Sequence, residues 1–349
     1  MGQWVLHVDL DQFIAAVEVM RRPELEGLPV VVGGRGDPTL RGVVATASYE
    51  AREYGVGSGM PLRTAVRKCP GAVFLPMDMP AYLEASEQVM AVLRSLPVVV
   101  EVLGMDEAFV GAETDDPHAL AEEIRARVLE ETGLHSSVGI GDNKLRAKIA
   151  TSFGKPRGVG RLTEEDWFDV MGDKPTDALW GIGTKTARKL KELGIETVGD
   201  LARADTQLLA DRLGPRMGPW YRRLGRGADT SPVDATPWVP RGHGRETTFQ
   251  ENLIDREAIA AEARKLAEQV ARDIEREGRP AARVGIKVRY APFFTTSRSL
   301  TLPEPTYDAA VIGEAAVELF RRIEDDRAVR LLGVRAEMVT PEDGYPGGR

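Results

Sequence analysis

The order of strand-like and helix-like segments predicts an α+β chain of several domains, with a ferredoxin-like first sheet and a second, smaller α+β unit at the end. Three observations carry this. Residues 4–154 follow a β-α-β-β-α-β order with extra material inserted after the first strand. Residues 167–224 are helical throughout, and TSPVDATPWVP (230–240), with three prolines and no periodicity, reads as a linker. Beyond the linker, period-2 and period-3.6 segments alternate again. A length of 349 residues exceeds one ordinary core and agrees with two to four domains.

Each element has a local reason. WVLHVDL (4–10) alternates and ends on a carboxylate, as a half-buried strand does, and a helix follows over 13–22. PVVVGG (29–34) and GVVATASYEAREYG (42–55) give a strand, a Gly-rich bend, a second strand and a helix. A short helix over 61–70 is stopped by Pro70. Next come a helix at 81–96, strands at 98–103 and 108–112 joined by a tight turn, and a helix at 117–132. The strand SSVGIG (136–141) and a helix at 143–154 close the first sheet. The final unit reads as strand 244–249, helix 255–277, strands 282–290 and 297–302, helix 308–324 and strand 331–339. The tail PEDGYPGGR reads as disordered, and the chain has no internal repeat or low-complexity tract.

Composition excludes several classes. A single cysteine, Cys69, allows neither an internal disulfide nor a thiolate metal site and fits a reducing, cytoplasmic setting. The longest apolar run, Leu96 to Val100, is far short of the ~20 residues that cross a bilayer. No secretory leader is expected, because Met1–Asp9 runs straight into the first strand. The net charge of −8 argues against a nucleic-acid partner at first sight. Its distribution is uneven, with 17 Lys+Arg against 24 Asp+Glu in residues 1–165 and 29 against 30 afterwards. Bound cations offset an acidic excess of this kind, so affinity for DNA would come from local basic faces.

The acids of interest are Asp9, at the end of the first strand, and Asp106 with Glu107, in the turn between two later strands. If those later strands form a hairpin beside the first, the three carboxylates converge at one sheet edge. Like charges so placed raise one another's pKa and call for divalent cations. Oxygen donors without His or Cys favour Mg²⁺ or Mn²⁺. Two such ions suit an in-line phosphoryl displacement. An Asp-Glu pair in a turn is also simply a solvated turn, and the dipeptide alone decides nothing.

VDLDQF (8–13), ASYEAREYGVGSGMP (47–61), GMDEAF (104–109), SVGIGDNKLRAKIATSFGKPRG (137–158) and GIGTKTARKLKELGIETVGDL (181–201) stand in the order and spacing of the Y-family DNA polymerases, and most resemble the DinB, or polymerase IV, branch. The resemblance runs from about residue 3 to residue 340. It implies a ferredoxin-like palm (1–18 and 75–165) with inserted fingers (19–74), and a helical thumb with a helix-hairpin-helix (166–229). A linker (230–242), an α+β little finger (243–340) and a tail (341–349) follow. It implies low-fidelity, template-directed DNA synthesis on a primer 3′-hydroxyl with pyrophosphate release, without a proofreading domain. The enzyme is expected to act as a cytoplasmic bacterial monomer.

Residue by residue, the resemblance makes Asp9, Asp106, Glu107 and the Leu10 carbonyl ligands of a metal pair, and gives Asp11 a structural role. Tyr49 and Arg52, three apart on one helix face, would grip the incoming triphosphate with Thr46 and Lys155. The four histidines, His7, His118, His135 and His243, read as structural or surface residues. The family usually carries an aromatic residue after Phe13, where its ring excludes the 2′-hydroxyl of a ribonucleotide; this chain has Ile14. Weak sugar discrimination is therefore expected, with both dNTP and rNTP substrates. Gly104 stands where the family often has Ser. Gly181 and Gly183 would bring backbone amides to a DNA phosphate, with Lys185 adding charge. Lys287, Arg289 and Arg298 would form one basic sheet face tracking the primer–template backbone. Gly33, Gly34, Gly36 and Gly42 leave little bulk in the fingers, which suits damaged templates. The tail lacks a Gln-x-x-aliphatic-aromatic peptide, so dependence on a sliding clamp is not expected. Two rivals remain at this stage: a nucleotidyl cyclase-like enzyme, and a catalytically inactive DNA-binding relative.

Overall fold

A computed structural model describes residues 2–345. The N-terminal sheet begins with β1 (Gly2–Leu10), and α1 (Phe13–Arg21) leads into the inserted segment. That segment holds β2 (Val30–Val32), β3 (Thr46–Ala47), α2 (Tyr49–Glu53), α3 (Leu62–Lys68) and β4 (Val73–Leu75). The chain returns through α4 (Met79–Arg94), β5 (Val99–Val102), β6 (Glu107–Thr114), α5 (Pro117–Thr132), β7 (Ser136–Gly141), α6 (Lys144–Gly154) and β8 (Val159–Leu162). Strand order in the main sheet is β5-β6-β1-β7-β8. The first four of these strands are the expected ferredoxin-like set; β8, which the sequence reading did not anticipate, adds a parallel strand beyond β7 through the crossover helix α6.

Alternation along β1 sends Leu6, Val8 and Leu10 into a core shared with α1, α4 and α5 residues such as Tyr82, Leu93, Ile124 and Val128. His7 and Asp9 therefore face the other side, where α6 lies. Helix boundaries follow their caps: the Asp116 carboxylate accepts the Ala119 N–H at 2.9 Å to start α5, and Gly133 ends it in the left-handed region.

Five short helices follow: α7 (Trp167–Met171), α8 (Thr184–Lys191), α9 (Val198–Arg203), α10 (Thr206–Leu213) and α11 (Met217–Gly225). They close over Trp167, Leu190, Leu201 and Leu209. The final unit comprises β9 (Gly242–Leu253), α12 (Arg256–Glu277), β10 (Ala281–Tyr290), β11 (Thr295–Thr306), α13 (Ala309–Arg321) and β12 (Val329–Met338). Its sheet runs β11-β10-β12-β9, with both helices covering one face.

The chain forms two compact units. One holds the residues up to Val32 with Ala45–Ser58 and Gly71–Thr236; the other holds Gly33–Val44, Gly59–Pro70 and the residues from Pro237 on. The inserted segment is thus divided between them, and the first half of the expected linker packs with the N-terminal unit: the Asp234 N–H donates to Glu101 at 2.8 Å. In the expected tail, Pro341–Gly344 makes a turn and Arg241 lies 5.0 Å from the Tyr345 ring; residues 346–349 lie outside the described residues. Among the described residues, no helix is long and apolar enough to cross a membrane.

Candidate active site

The sheet register brings the acids together. Asp9 pairs with Glu107 across β1 and β6, and His7 pairs with Phe109. On the far side of β1, Ser137 stands opposite Asp9, and Gly139 opposite His7. β5 places Glu101 opposite Phe109 on the same face. Helix α6 approaches this face closely because Gly139 and Gly141 carry no side chain. A Cβ on Gly139 would lie 2.0 Å from the Ala147 carbonyl oxygen, and one on Gly141 2.4 Å from the Ala147 nitrogen.

Lys144, Lys148, Thr151 and Lys155 recur along α6 and its C-terminal cap at helical spacing and meet the acidic face in order. Lys144 pairs with Glu101, Lys148 with Glu107 and Lys155 with Asp9. His7 is buried; its Nδ1 lies 2.8 Å from the Thr151 hydroxyl, and its Nε2 3.2 Å from Glu107 and 3.1 Å from Lys148. Ligand atoms of His7, Asp9 and Glu107 all lie within 4.8 Å of one another.

The electrostatics separate neighbouring carboxyls. The His7 hydrogen bond, followed by Lys148, brings Glu107 down to about 2. Asp106 moves the other way: partial burial raises its pKa first, and Asp9 and Glu107 raise it further. Asp106 has no ion pair among the described residues, while its main-chain oxygen accepts the Leu10 N–H at 2.8 Å. This donor set fits divalent cations. Asp9 and Glu107 face each other across the two strands and are neutralised by ammonium groups, while Asp106 beside them is disfavoured as an anion by burial and by its two acidic neighbours.

His7, read from the sequence as a structural or surface residue, is buried and bonded to Glu107, a partner the sequence did not indicate. Burial lowers its pKa first, so it is held neutral. Because its folded pKa lies below the ordinary value near 6.5, the unfolded chain binds that proton more readily. Stability linked to His7 is therefore fully present above pH 6.5 and falls as the pH drops below it. Glu107 acts in a lower window, its contribution present above about 4.5 and lost toward about 2. In metal-free buffer, the melting temperature of His7→Gln is expected to decline less steeply than that of the parent between about pH 7.5 and 5.5. Parallel curves would assign the acid sensitivity elsewhere.

Lys148 was missed as well. Its signal was the Lys144–Lys148–Thr151–Lys155 stripe, legible once the sequence is wound as a helix. Lys148→Met is expected to lower kcat about ten- to a hundredfold, because Glu107 loses one of the two groups that aim it. DNA affinity, measured in parallel, is expected to hold; an unchanged kcat would refute the positioning role.

The remaining predicted residues are placed as follows. Asp11 is buried and accepts from the Tyr49 hydroxyl at 2.7 Å, the Ser137 hydroxyl at 2.9 Å and the Arg157 N–H at 2.8 Å, a structural role. Gln12, in the left-handed region, accepts the Tyr49 N–H at 2.5 Å. Burial, then Asp11, raises the Tyr49 pKa. Arg52 stacks 4.9 Å from the Tyr49 ring and donates to the Ala47 carbonyl at 2.9 Å, so the two share a face as their spacing predicts. Thr46 begins β3 opposite Val32. Phe13 and Ile14 are both buried in the palm-side core. At Gly104 a Cβ would meet nothing nearer than 3.6 Å, so the turn does not require glycine there. The fingers glycines have steric reasons of their own: a Cβ on Gly33 would lie 2.3 Å from the Val43 carbonyl oxygen.

Gly183 caps α8, and Gly181 sits at φ +95° with Trp220 2.8 Å from where a Cβ would be. Lys185 is exposed. The element before this turn is a single 3-10 turn, Thr176–Ala178, where the sequence suggested a helix. In the final sheet, Lys287 and Arg289 pair with Ser297 and Thr295 on the open face, but Arg298 pairs with the buried Ile286. Arg298 is thus on the opposite face, a correction to the single basic face expected. Alternation within each strand was legible, whereas the register across the hairpin depends on its loop. Arg335, opposite Gly285, joins Lys287 on the open face instead. There Gly244, Gly285 and Gly333 hollow a groove of about 710 Å³.

The impB/mucB/samB family model matches residues 8–152, its C-terminal domain model residues 240–346, and the thumb-domain model of DNA polymerase iota residues 177–229. DNA polymerase IV 2 of Mycobacterium bovis is 49% identical over 340 residues, covering 96% of this chain and 98% of its own length. DNA polymerase IV of Methanoculleus marisnigri is 41% identical over 342 residues, covering 96% and 94%. A solved chimera of the Y-family polymerases Dbh and Dpo4 superposes with a TM-score of 0.86 at 28% identity, covering 96% of this chain and 98% of that one. An insertion ternary complex of Dbh DNA polymerase gives 0.67 at 28% identity, covering 96% and 99%. Fold and acidic site together define a DNA-directed DNA polymerase of the translesion type, with palm, fingers, thumb and little finger. The chain belongs to the Y-family, in its DNA polymerase IV (DinB) branch.

Proposed function

We propose that the enzyme extends a primer on template DNA with two Mg²⁺ or Mn²⁺ ions held by Asp9, Asp106, Glu107 and the Leu10 carbonyl. The observation that carries this is Asp9 facing Glu107 across β1 and β6 with Asp106 next in the chain, and a lysine on each of the facing pair. Bound ions would supply charge stabilisation to attacking and leaving oxygens. The protein's own part is positioning and neutralisation. His7 and Lys148 aim Glu107; Tyr49 and Arg52 present a hydroxyl and a planar fork of donors to the triphosphate, with Thr46 beside them. Lys155, now on Asp9, adds a third cation for those phosphates.

Domain boundaries are read as palm 1–18 and 75–165, fingers 19–74, thumb 166–229, linker 230–242 and little finger 243–340. Gly181, Gly183 and Lys185, and the open-face cations Lys287 and Arg289, would grip the DNA backbone. A cytoplasmic monomer without clamp dependence completes the reading. Ile14 leaves the sugar of the incoming nucleotide without an aromatic barrier, so ribonucleotides would be inserted alongside deoxyribonucleotides. Primer extension with Mg²⁺ or Mn²⁺, supplied with dNTPs or rNTPs, tests both parts. Absence of any extension would refute the polymerase assignment, and strict use of dNTPs the sugar reading alone.

A further inference from the structure

The tip of the β10–β11 hairpin has a composition unlike a solvated turn. Phe293 and Phe294 are adjacent and 64% and 53% exposed. Phe293 has φ +111°, a strained conformation for a bulky residue, and the turn is held closed by the Phe293 N–H donating to the Tyr290 carbonyl at 2.7 Å. Each ring is backed on one side by an arginine: Arg330 lies 4.7 Å from Phe293 and Arg327 4.3 Å from Phe294. Arg327 is neutralised by Asp325. Arg330, Arg289 and Arg41 have no ion pair among the described residues. Arg289 donates to the Thr295 hydroxyl at 2.9 Å, and Arg41 to the Phe249 carbonyl at 2.9 Å and the Asn252 side chain at 2.6 Å, all neutral acceptors. These cations are close enough that Arg41 and Arg289, after burial, lower the pKa of Arg330.

We propose that this tip is a stacking platform for unpaired template DNA, with single-stranded bases on Phe293 and Phe294 and their phosphates beside Arg330, Arg289 and Arg41. Exposed aromatic faces take any base, and uncancelled arginines take the backbone, which is the chemistry that single-stranded nucleic acid requires. A duplex offers no free base face to these rings. The proposal rests on the polymerase reading only in taking DNA as the ligand.

The test uses the full chain and fluorescence anisotropy at fixed salt, with primer–template duplexes carrying no 5′ template overhang or an overhang of six nucleotides. The parent is expected to bind the overhang form more tightly. The double variant Phe293→Leu/Phe294→Leu, which keeps apolar bulk but no π face, is expected to lose about tenfold in affinity for the overhang form and little for the flush one. Phe293→Trp/Phe294→Trp should retain the gain. Retention of the overhang gain by the leucine variant would overturn the proposal, as would equal weakening on both duplexes. Because both rings are exposed, the leucine variant should melt with the parent. Primer extension by the parent is the separate check on the polymerase reading, and its failure would not be confused with loss of the overhang effect.

Discussion

Asp106→Ala is expected to lower the single-turnover rate of primer extension at least about a thousandfold, roughly 4 kcal/mol of transition-state stabilisation. The size follows from where this carboxyl sits. Its side chain projects from the turn between β5 and β6 and forms no ion pair among the described residues, so the fold does not need it. The contact that orders the turn, from the Leu10 N–H, is made to the main-chain oxygen of Asp106 and survives the substitution. Melting temperature should stay near that of the parent, and affinity for DNA should not fall, since a negative charge has been removed. Asp106→Asn, similar in shape but uncharged, is expected to be nearly as inert. Retention of more than about a tenth of the parent rate would show that the acidic edge is not where the chemistry occurs.

Replacing Ile14 by Tyr is expected to raise the preference for dNTPs over rNTPs by at least about a hundredfold, or roughly 2.7 kcal/mol. The parent should discriminate by less than about a thousandfold. Ile14 occupies the first turn of α1, 8% exposed and packed with Phe13 and Val17. A larger ring there risks an overpacking cost of about 1–3 kcal/mol, which a melting curve would reveal separately from the sugar effect. Ile14→Leu conserves volume and aliphatic character and should leave the ratio unchanged. A parent enzyme that already rejects ribonucleotides more than about a thousandfold would place the sugar barrier elsewhere.

Much of this was legible without coordinates because it is local. Alternation in VLHVDL reveals both the strand and the face that Asp9 occupies, and the predicted helix at 117–132 coincides with α5, whose Asp116 and Gly133 are local start and stop signals. The facing of Asp9 and Glu107 followed from a tight turn between two strand-like segments. Harder to see were features made by two elements at once. Nothing near His7 in the chain announces Thr151, Lys148 or Glu107, which reach it from a helix and a strand 100 or more residues away. Strand β8 is four residues long and has no amphipathic pattern strong enough to stand apart from its loop. Arg298 failed for a related reason, since one residue of register moves a side chain to the opposite face.

By itself, then, the amino-acid order determined most of the strand and helix sequence, the ferredoxin-like connectivity, the acids at the ends of β1 and β6, and the aliphatic side chain at position 14. Only the tertiary structure decided which lysine neutralises which acid, that a buried imidazole holds Glu107, and which cations share the open face of the last sheet. Those outcomes depend on strand register and on how closely α6 can settle over Gly139 and Gly141, distances set by packing between segments remote in the chain.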